Sequence, residues 1–140
     1  ANFRLDPIQA VALLVKLPHL DDWSQARRDN AAYYNKKFAG TKVQTPYVSP
    51  DCKTIYNQYC IRVPRRDEVV AHLHANNIGC EIYYPVPAHL QECFAPLGHK
   101  EGDFPVAEQA AKEIMALPIY PELTDAMQDV VADTILAFLG

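Results

Sequence analysis

Residues 8–17 constrain the fold most, because this segment is apolar on nearly every face. Asp6 and Pro7 precede it, and a capping aspartate followed by a proline is typical of a helix start. A helix that is apolar all round is buried on several sides. We therefore expect this helix to need neighbours beyond those that a chain of 140 residues can readily supply.

The composition excludes several classes of protein. Of the 140 residues, 49% are hydrophobic and 21% are charged, which is typical of one globular domain. A net charge of −4 with only short basic clusters disfavours a nucleic-acid-binding surface. No apolar run approaches the roughly 18 residues of a membrane span, so we expect no membrane association.

The cysteines and the start of the chain bear on its location and completeness. Four cysteines lack the paired spacing of a zinc site, and no targeting segment precedes them. We expect reduced thiols, a cytoplasmic location and no bound metal. The chain begins Ala-Asn-Phe-Arg without an initiator Met, so we also expect it to be a piece of a longer protein.

Hydrophobic periodicity predicts a second helix after Pro18. Its apolar stripe steps by three or four residues, through Leu20, Trp23, Arg27, Ala31, Tyr34 and Phe38. Gly40 lies where such a helix commonly ends. Pro18 itself predicts a kink or a short break between the two helices.

The rest of the chain alternates between strand and helix patterns. Strands are predicted at 55–63, 80–83 and 115–121, with Ile55, Tyr59, Ile61 and Val63 on one face of the first. Helices are predicted to start at Asp67, near 103–105 and after Thr124. The second of these helices would point Val106, Ala110 and Ile114 inward, and the last would bury Met127, Val130, Val131, Ile135 and Phe138. This order predicts an α+β fold: a small three-stranded sheet with helices packed on one side, plus a long, Pro-kinked N-terminal helix.

The stretch Tyr83-Tyr84-Pro85-Val86-Pro87 ends the second predicted strand abruptly. Adjacent residues of an extended chain point to opposite sides, so one tyrosine can pack while the other points out. A rigid ledge with phenolic groups suits recognition of a polyhydroxyl ligand. A purely structural strand end explains the same residues equally well.

Other polar residues are explained most simply by structure. His72 and His74 are two apart on a predicted helix and face different directions, which disfavours a metal site. Asp21 and Asp22 lie where a helix begins and stabilise its dipole. No nucleotide-binding loop or nucleophile motif occurs in the chain. These patterns alone predict no self-sufficient catalytic site.

Several motifs together resemble a known family. The segments NFRLDPIQA (2–10), YYPVPAHLQ (83–91) and GDFPVAEQAAKEIMALPIYPELT (102–124) resemble the C-terminal part of DegT/StrS-type sugar aminotransferases. These are pyridoxal-phosphate (PLP) enzymes of the aspartate-aminotransferase fold type. The resemblance implies transfer of an amino group, usually from glutamate, onto a keto group of a nucleotide-linked sugar. Amino-sugar and polysaccharide biosynthesis would use such an enzyme, acting as a homodimer with shared active sites.

The same resemblance implies roles for particular residues. Asn2 matches an asparagine that binds the PLP phosphate in the neighbouring subunit's site, and Arg4 matches a basic residue near the substrate's phosphates or acidic groups. Tyr83 and Tyr84 match a pair at the edge of the sugar pocket, although many relatives carry histidine at the first position. Residues 1–40 would be entering helices between a large and a small domain, and 41–140 the small C-terminal domain.

The resemblance also implies what this chain lacks. None of its lysines, at positions 16, 36, 37, 42, 53, 100 and 112, lies in the family's Schiff-base motif. A chain without that lysine cannot activate the carbonyl for transfer, so we expect it to be inactive alone. Two alternatives stay open: a non-catalytic, regulatory relative, and an independent carbohydrate-binding α+β module.

Overall fold

The computed structural model describes residues 4–140. This part contains helices α1 (Pro7–Lys16), α2 (Leu20–Phe38), α3 (Arg66–Ala75), α4 (Pro105–Glu113) and α5 (Asp125–Leu139), and strands β1 (Tyr59–Arg62) and β2 (Ile114–Leu117). The predicted mixture of helices with a small sheet is confirmed. Among residues 4–140, no helix combines the length and apolar character needed to cross a bilayer.

The N-terminal helix pair begins and breaks where the sequence predicts. The Asp6 carboxylate accepts a hydrogen bond from Ile8 N at 2.8 Å and so caps α1. A 3₁₀ turn at Leu17–His19, containing Pro18, separates α1 from α2. Within this chain α1 has no buried residue, and Ile8 is 82% exposed, so the neighbours that its apolar faces require are not among the described residues.

Helix α2 joins the core through its C-terminal half, where Ala31, Tyr34 and Phe38 are buried. Three polar side chains at helical spacing also donate to successive main-chain carbonyls after β2. The bonds are Tyr34 Oη to Pro118 O (3.2 Å), Arg27 Nη1 to Ile119 O (2.7 Å) and Asn30 Nδ2 to Tyr120 O (2.8 Å). Helix α2 therefore fixes the chain that leaves the sheet.

The two strands pair antiparallel, and their register sets one face of the core. Tyr59 lies opposite Leu117, and Ile61 lies opposite Met115, and all four are buried. Directly opposed residues project from the same face of a sheet. Side chains of α2, α3 and α5 join this face in one buried cluster.

The sheet is smaller than the three strands that the sequence predicts. Residues 80–83 contribute only a single bridge, between Glu81 and Ala116, at the outer edge of β2. The first strand begins at Tyr59 instead of residue 55 because Tyr56 adopts a left-handed conformation with φ of 46°. Ile55 consequently lies outside the strand and is exposed instead of facing the core.

The start of α3 also differs from the prediction. Helix α3 is not capped by Asp67: it starts at Arg66, after Arg65 in a left-handed conformation. The Asp67 carboxylate instead accepts a bond from Arg66 Nε at 2.6 Å. The helix ends at Ala75, and Asn77 beyond it has a positive φ of 58°.

The inward faces of the last two helices are shifted from the predicted ones. In α4, Val106 is exposed and Glu108 is buried, while Ile114 begins β2. In α5, Thr124 caps the helix, and Val131 and Ile135 are buried, as predicted.

Two residues assigned to the buried face of α5, Met127 and Val130, are exposed, and Phe138 is only partly buried. Gln128 takes the inward position instead, because its amide donates to Asn30 O at 2.8 Å in the core. The buried face of α5 therefore includes a polar residue that hydrophobicity alone does not select.

Two adjacent valines test this helix face. We expect Val131→Ala to lower the free energy of unfolding of the 140-residue chain by about 1.5–3 kcal/mol, because Val131 is 5% exposed and its methyl groups fill the core. Val130→Ala should change it by no more than about 0.5 kcal/mol, because Val130 is 59% exposed. Urea denaturation of both variants measures the difference. Equal losses would mean that the face is misassigned.

Candidate ligand-binding cleft

The two tyrosines lie directly after the Glu81 bridge, where the chain leaves the sheet. Neither ring is buried: Tyr83 is 37% exposed and Tyr84 is 78% exposed. Two short 3₁₀ turns follow, at Ala88–Leu90 and Glu92–Leu97. The phenols are therefore available to a ligand, and Tyr84 more so than Tyr83.

A cleft of about 470 Å³ separates the tyrosines from α4. Its first wall comes from one stretch of chain: Tyr83, Tyr84, Val86, Pro87, Ala88 and Gln91. Its second wall comes from α4 and the start of β2: Ala107, Ala110, Ala111 and Ile114. The lining carries no charged side chain, so the phenols and the Gln91 amide supply its polar side-chain groups.

Each tyrosine also lines a second cleft. Tyr83 borders one of about 390 Å³ whose lining includes Gln58, Glu81 and residues 116–119. Tyr84 borders another of about 490 Å³, with Leu90 and Glu92 among its lining residues. The two tyrosines thus share one cleft, and each also borders a second cleft of its own.

One buried pair joins the two walls of the tyrosine cleft. His89 Nε2 lies 3.0 Å from Glu108 Oε1, and the two side chains are only 8% and 9% exposed. Glu108 also accepts bonds from Gly102 N (2.9 Å) and Phe104 N (3.2 Å). The Phe104 ring contacts the His89 ring at a centroid distance of 4.8 Å.

The surroundings of Glu108 and Cys80 shift the pKa of each side chain. Burial favours the neutral carboxyl of Glu108, but the Gly102 and Phe104 amides and His89 outweigh it and hold the pKa below its usual range. Burial and the Glu81 charge raise the pKa of the Cys80 thiol, which lines the smaller cleft. Glu108 is therefore an anion at neutral pH, and Cys80 is not an activated nucleophile.

The other predicted site residues lie elsewhere. Asn2 falls outside the described residues, and Arg4 is exposed ahead of α1. None of the three clefts is lined by a lysine among the described residues. Lys37 instead pairs with Asp129 at 2.6 Å, and Lys42 donates to Leu139 O at 2.7 Å. Within residues 4–140, no group of three or more His, Cys, Asp or Glu side chains is placed to hold a metal.

Sequence reasoning missed His89 and Glu108. Their contact spans 19 residues, which no local periodicity reveals. The signal available was the acidic side chain four residues after Phe104, just inside a helix that begins at Pro105. A carboxylate in the first turn commonly reaches back to the free amides there.

Residues 1–136 match the DegT/DnrJ/EryC1/StrS aminotransferase family. The chain is 46% identical over 140 residues to the "Pleiotropic regulatory protein" of Geobacillus stearothermophilus, covering 98% of this chain and 38% of that protein. It is 39% identical over 123 residues to the "dTDP-3-amino-3,4,6-trideoxy-alpha-D-glucose transaminase" of Streptomyces venezuelae, covering 87% of this chain and 32% of the enzyme.

Solved structures match equally well. S. venezuelae DesV, in complex with a ketimine intermediate, superposes with a TM-score of 0.91 at 36% identity, over 97% of this chain and 37% of DesV. A DegT DnrJ EryC1 StrS aminotransferase from Brucella abortus gives 0.87 at 36% identity, over 98% of this chain and 36% of that one. The chain therefore spans between about a third and two fifths of the length of these relatives.

The ionised Glu108 makes a pH-dependent contribution to stability. Because its pKa is lowered by folding, the contribution is present above the usual glutamate pKa of roughly 4.3 and is lost as pH falls through the native pKa. We expect wild type to exceed Glu108→Gln in unfolding free energy at pH 7, with the difference shrinking below about pH 4.3. Urea denaturation between neutral and acidic pH measures this.

The matched control for this prediction is Glu101→Gln. Glu101 is exposed and lies 3.8 Å from Lys112 on the surface. Its replacement should leave the pH profile of unfolding close to that of wild type. A Glu108→Gln difference that stays constant on acidification would contradict the assigned charge.

Proposed function

The chain belongs to the DegT/DnrJ/EryC1/StrS aminotransferase family, and from this we propose that the intact protein moves an amino group onto a keto group of a nucleotide-linked sugar. Glutamate is the proposed donor, leaving as 2-oxoglutarate, so the sugar gains the amine that glutamate loses. The observation that carries the proposal is the family match through residues 1–136. Amino-sugar biosynthesis in the cytoplasm is the corresponding role.

PLP is the proposed cofactor, and it supplies the electron sink for amino transfer. None of the lysines of this chain lies in the family's Schiff-base motif, and no lysine lines the three clefts around the tyrosines. We therefore assign the Schiff-base lysine to residues outside this chain. Asn2 is proposed to bind the PLP phosphate of a neighbouring subunit, as a donor to a charged group, in a homodimer.

The tyrosine cleft is the part that this chain contributes to sugar binding. A sugar ring offers hydroxyl groups to phenolic oxygens and apolar C–H faces to aromatic rings. Tyr84, which is 78% exposed, is proposed to contact such a ligand from the first wall. Arg4 is proposed to meet the phosphates or acidic groups of the nucleotide sugar, because a guanidinium pairs well with both.

The exposed apolar face of α1 supports a larger protein. A groove of about 580 Å³ between α1 and α2 is lined by Leu5, Ala10, Leu13, Leu14, Lys16, Leu17, Leu20 and Trp23. Contiguous apolar surface of this kind marks an interface. We propose that residues 1–40 connect a large domain to the small domain of 41–140. An independent carbohydrate-binding module would leave this face in water, which disfavours that alternative.

A regulatory role is the second candidate. The observation that favours it is the 46% identity to a protein named for pleiotropic regulation. The small domain would then bind its ligand without amino transfer. Direct assay of the intact protein separates the two functions.

The test supplies the intact protein with PLP, glutamate and a panel of nucleotide-linked keto sugars. We expect formation of an amino sugar with an equal amount of 2-oxoglutarate, measured by mass spectrometry. The isolated 140-residue chain, with its fold checked by circular dichroism, should give no product because it lacks the activating lysine. Turnover by the isolated chain would refute the assignment of the activating lysine to residues outside it. Failure of the intact protein on every sugar would favour regulation.

Replacing a single phenol tests the sugar-binding role of the cleft. In the intact protein, Tyr84→Phe should lower kcat/KM for the keto sugar by roughly two- to tenfold, because one hydrogen bond contributes about 0.5–1.5 kcal/mol. The half-reaction with glutamate should be unchanged, since glutamate does not need the cleft. Tyr47→Phe, which removes a phenol from another exposed tyrosine, is the control. Equal impairment of both half-reactions would make Tyr84 structural.

A further inference from the structure

The first wall of the tyrosine cleft is tied to the rest of the molecule at one polar point. Hydrogen bonds within residues 84–98 are local, such as Leu90 N to Pro87 O (2.9 Å) and Phe94 N to Gln91 O (2.9 Å). Among the described residues, the bond from His89 to Glu108 is the one hydrogen bond that leaves this stretch. The position of the wall therefore depends on that pair.

Each member of the pair is also the sequence neighbour of a lining residue. His89 directly follows Ala88, which lines the first wall, and Glu108 directly follows Ala107, which lines the second. Their contact of 3.0 Å thus links the two chain segments that carry the walls. Both side chains are buried, so water competes little for the bond.

Glu108 is itself held in place, which makes it an anchor. The amides of Gly102 and Phe104 donate to its carboxylate, and α4 carries its backbone. As an ionised carboxylate it only accepts, so His89 Nε2–H must donate. The Phe104 ring restricts the imidazole from another side.

We propose that His89 and Glu108 are a positioning pair, which sets the width of the tyrosine cleft and so the placement of the keto sugar before amino transfer. The proposal rests on the proposed function for its substrate, but the bond between the walls is a property of this chain. Small displacements of a bound substrate have large kinetic effects, and roughly 1 Å can cost a hundredfold in rate. The pair acts through the tyrosine wall and does not touch the sugar.

Two variants of similar size separate hydrogen bonding from packing. In the intact protein, His89→Leu fills the space without a donor, whereas His89→Gln keeps an N–H group for Glu108. We expect His89→Leu to lower kcat/KM for the keto sugar by roughly 10- to 100-fold, mainly through kcat. His89→Gln should recover most of that loss. Neither variant should alter the half-reaction with glutamate.

Hydrogen–deuterium exchange supplies a readout that does not depend on activity. Amides in residues 88–98 should exchange faster in His89→Leu than in wild type, and His89→Gln should stay close to wild type. His99→Gln is the control, because His99 contacts the same Phe104 ring at 5.0 Å but does not join the walls. Its exchange and its kinetics should match those of wild type.

The outcomes distinguish this proposal from the proposed function. Equal behaviour of the Leu and Gln variants, or unchanged exchange in His89→Leu, overturns the positioning pair. Faster exchange with unaltered sugar kinetics overturns it as well. If wild type transaminates no nucleotide-linked sugar, the proposed function fails, and the exchange data alone decide whether His89 holds the wall.

Discussion

The structure depends on the way α2 holds three successive carbonyl groups beyond the end of β2. Pro118, Ile119 and Tyr120 leave the sheet as irregular chain, and buried carbonyl groups there need donors. Side chains one and two turns apart on α2 provide them, with distances between 2.7 and 3.2 Å. These bonds fix the angle at which the chain turns from β2 towards α5.

The same bonds link the core to the candidate site. Residues 116–119 line the cleft beside Tyr83, so α2 shapes that cleft without contributing a lining residue. Stacking of Tyr34 on Tyr59, with ring centroids 5.1 Å apart, adds an aromatic contact between α2 and β1. Burial raises the pKa of Tyr34 well above its usual range, so its hydroxyl stays protonated and able to donate to Pro118 O. The contacts that pack α2 into the core therefore also determine the shape of the cleft beside Tyr83.

Local sequence patterns predicted the structural features that depend on short-range interactions. The Asp6 and Thr124 caps and the break at Pro18 follow from short-range chemistry, and the structure confirms them. The buried face of α5 was not predictable in this way, because Gln128 is drawn inward by a carbonyl on α2. The length of β1 depended on the left-handed Tyr56, which its residue type does not favour.

Some residues of the candidate site could also be identified from local sequence patterns, and others could not. Tyr83 and Tyr84 stand out in the sequence through their neighbouring prolines, and the structure places both on one cleft. Their contact with a sugar stays a prediction, as do the roles of Asn2 and Arg4. The second wall was hidden, because alanines on α4 carry no chemical signature. His89 and Glu108 were hidden because each resembles an ordinary polar residue until the fold brings them together.

The pairing of β1 with β2 has a consequence for divergence. Arg62 and Ile114 are partners in the sheet although the whole first wall of the cleft lies between them in the chain. The entropy of closing such a loop grows slowly, and doubling its length costs only about 0.6 kcal/mol. Insertions or deletions in 84–97 would therefore leave the sheet nearly as stable as before. Evolution can therefore reshape this side of the cleft without rebuilding the core.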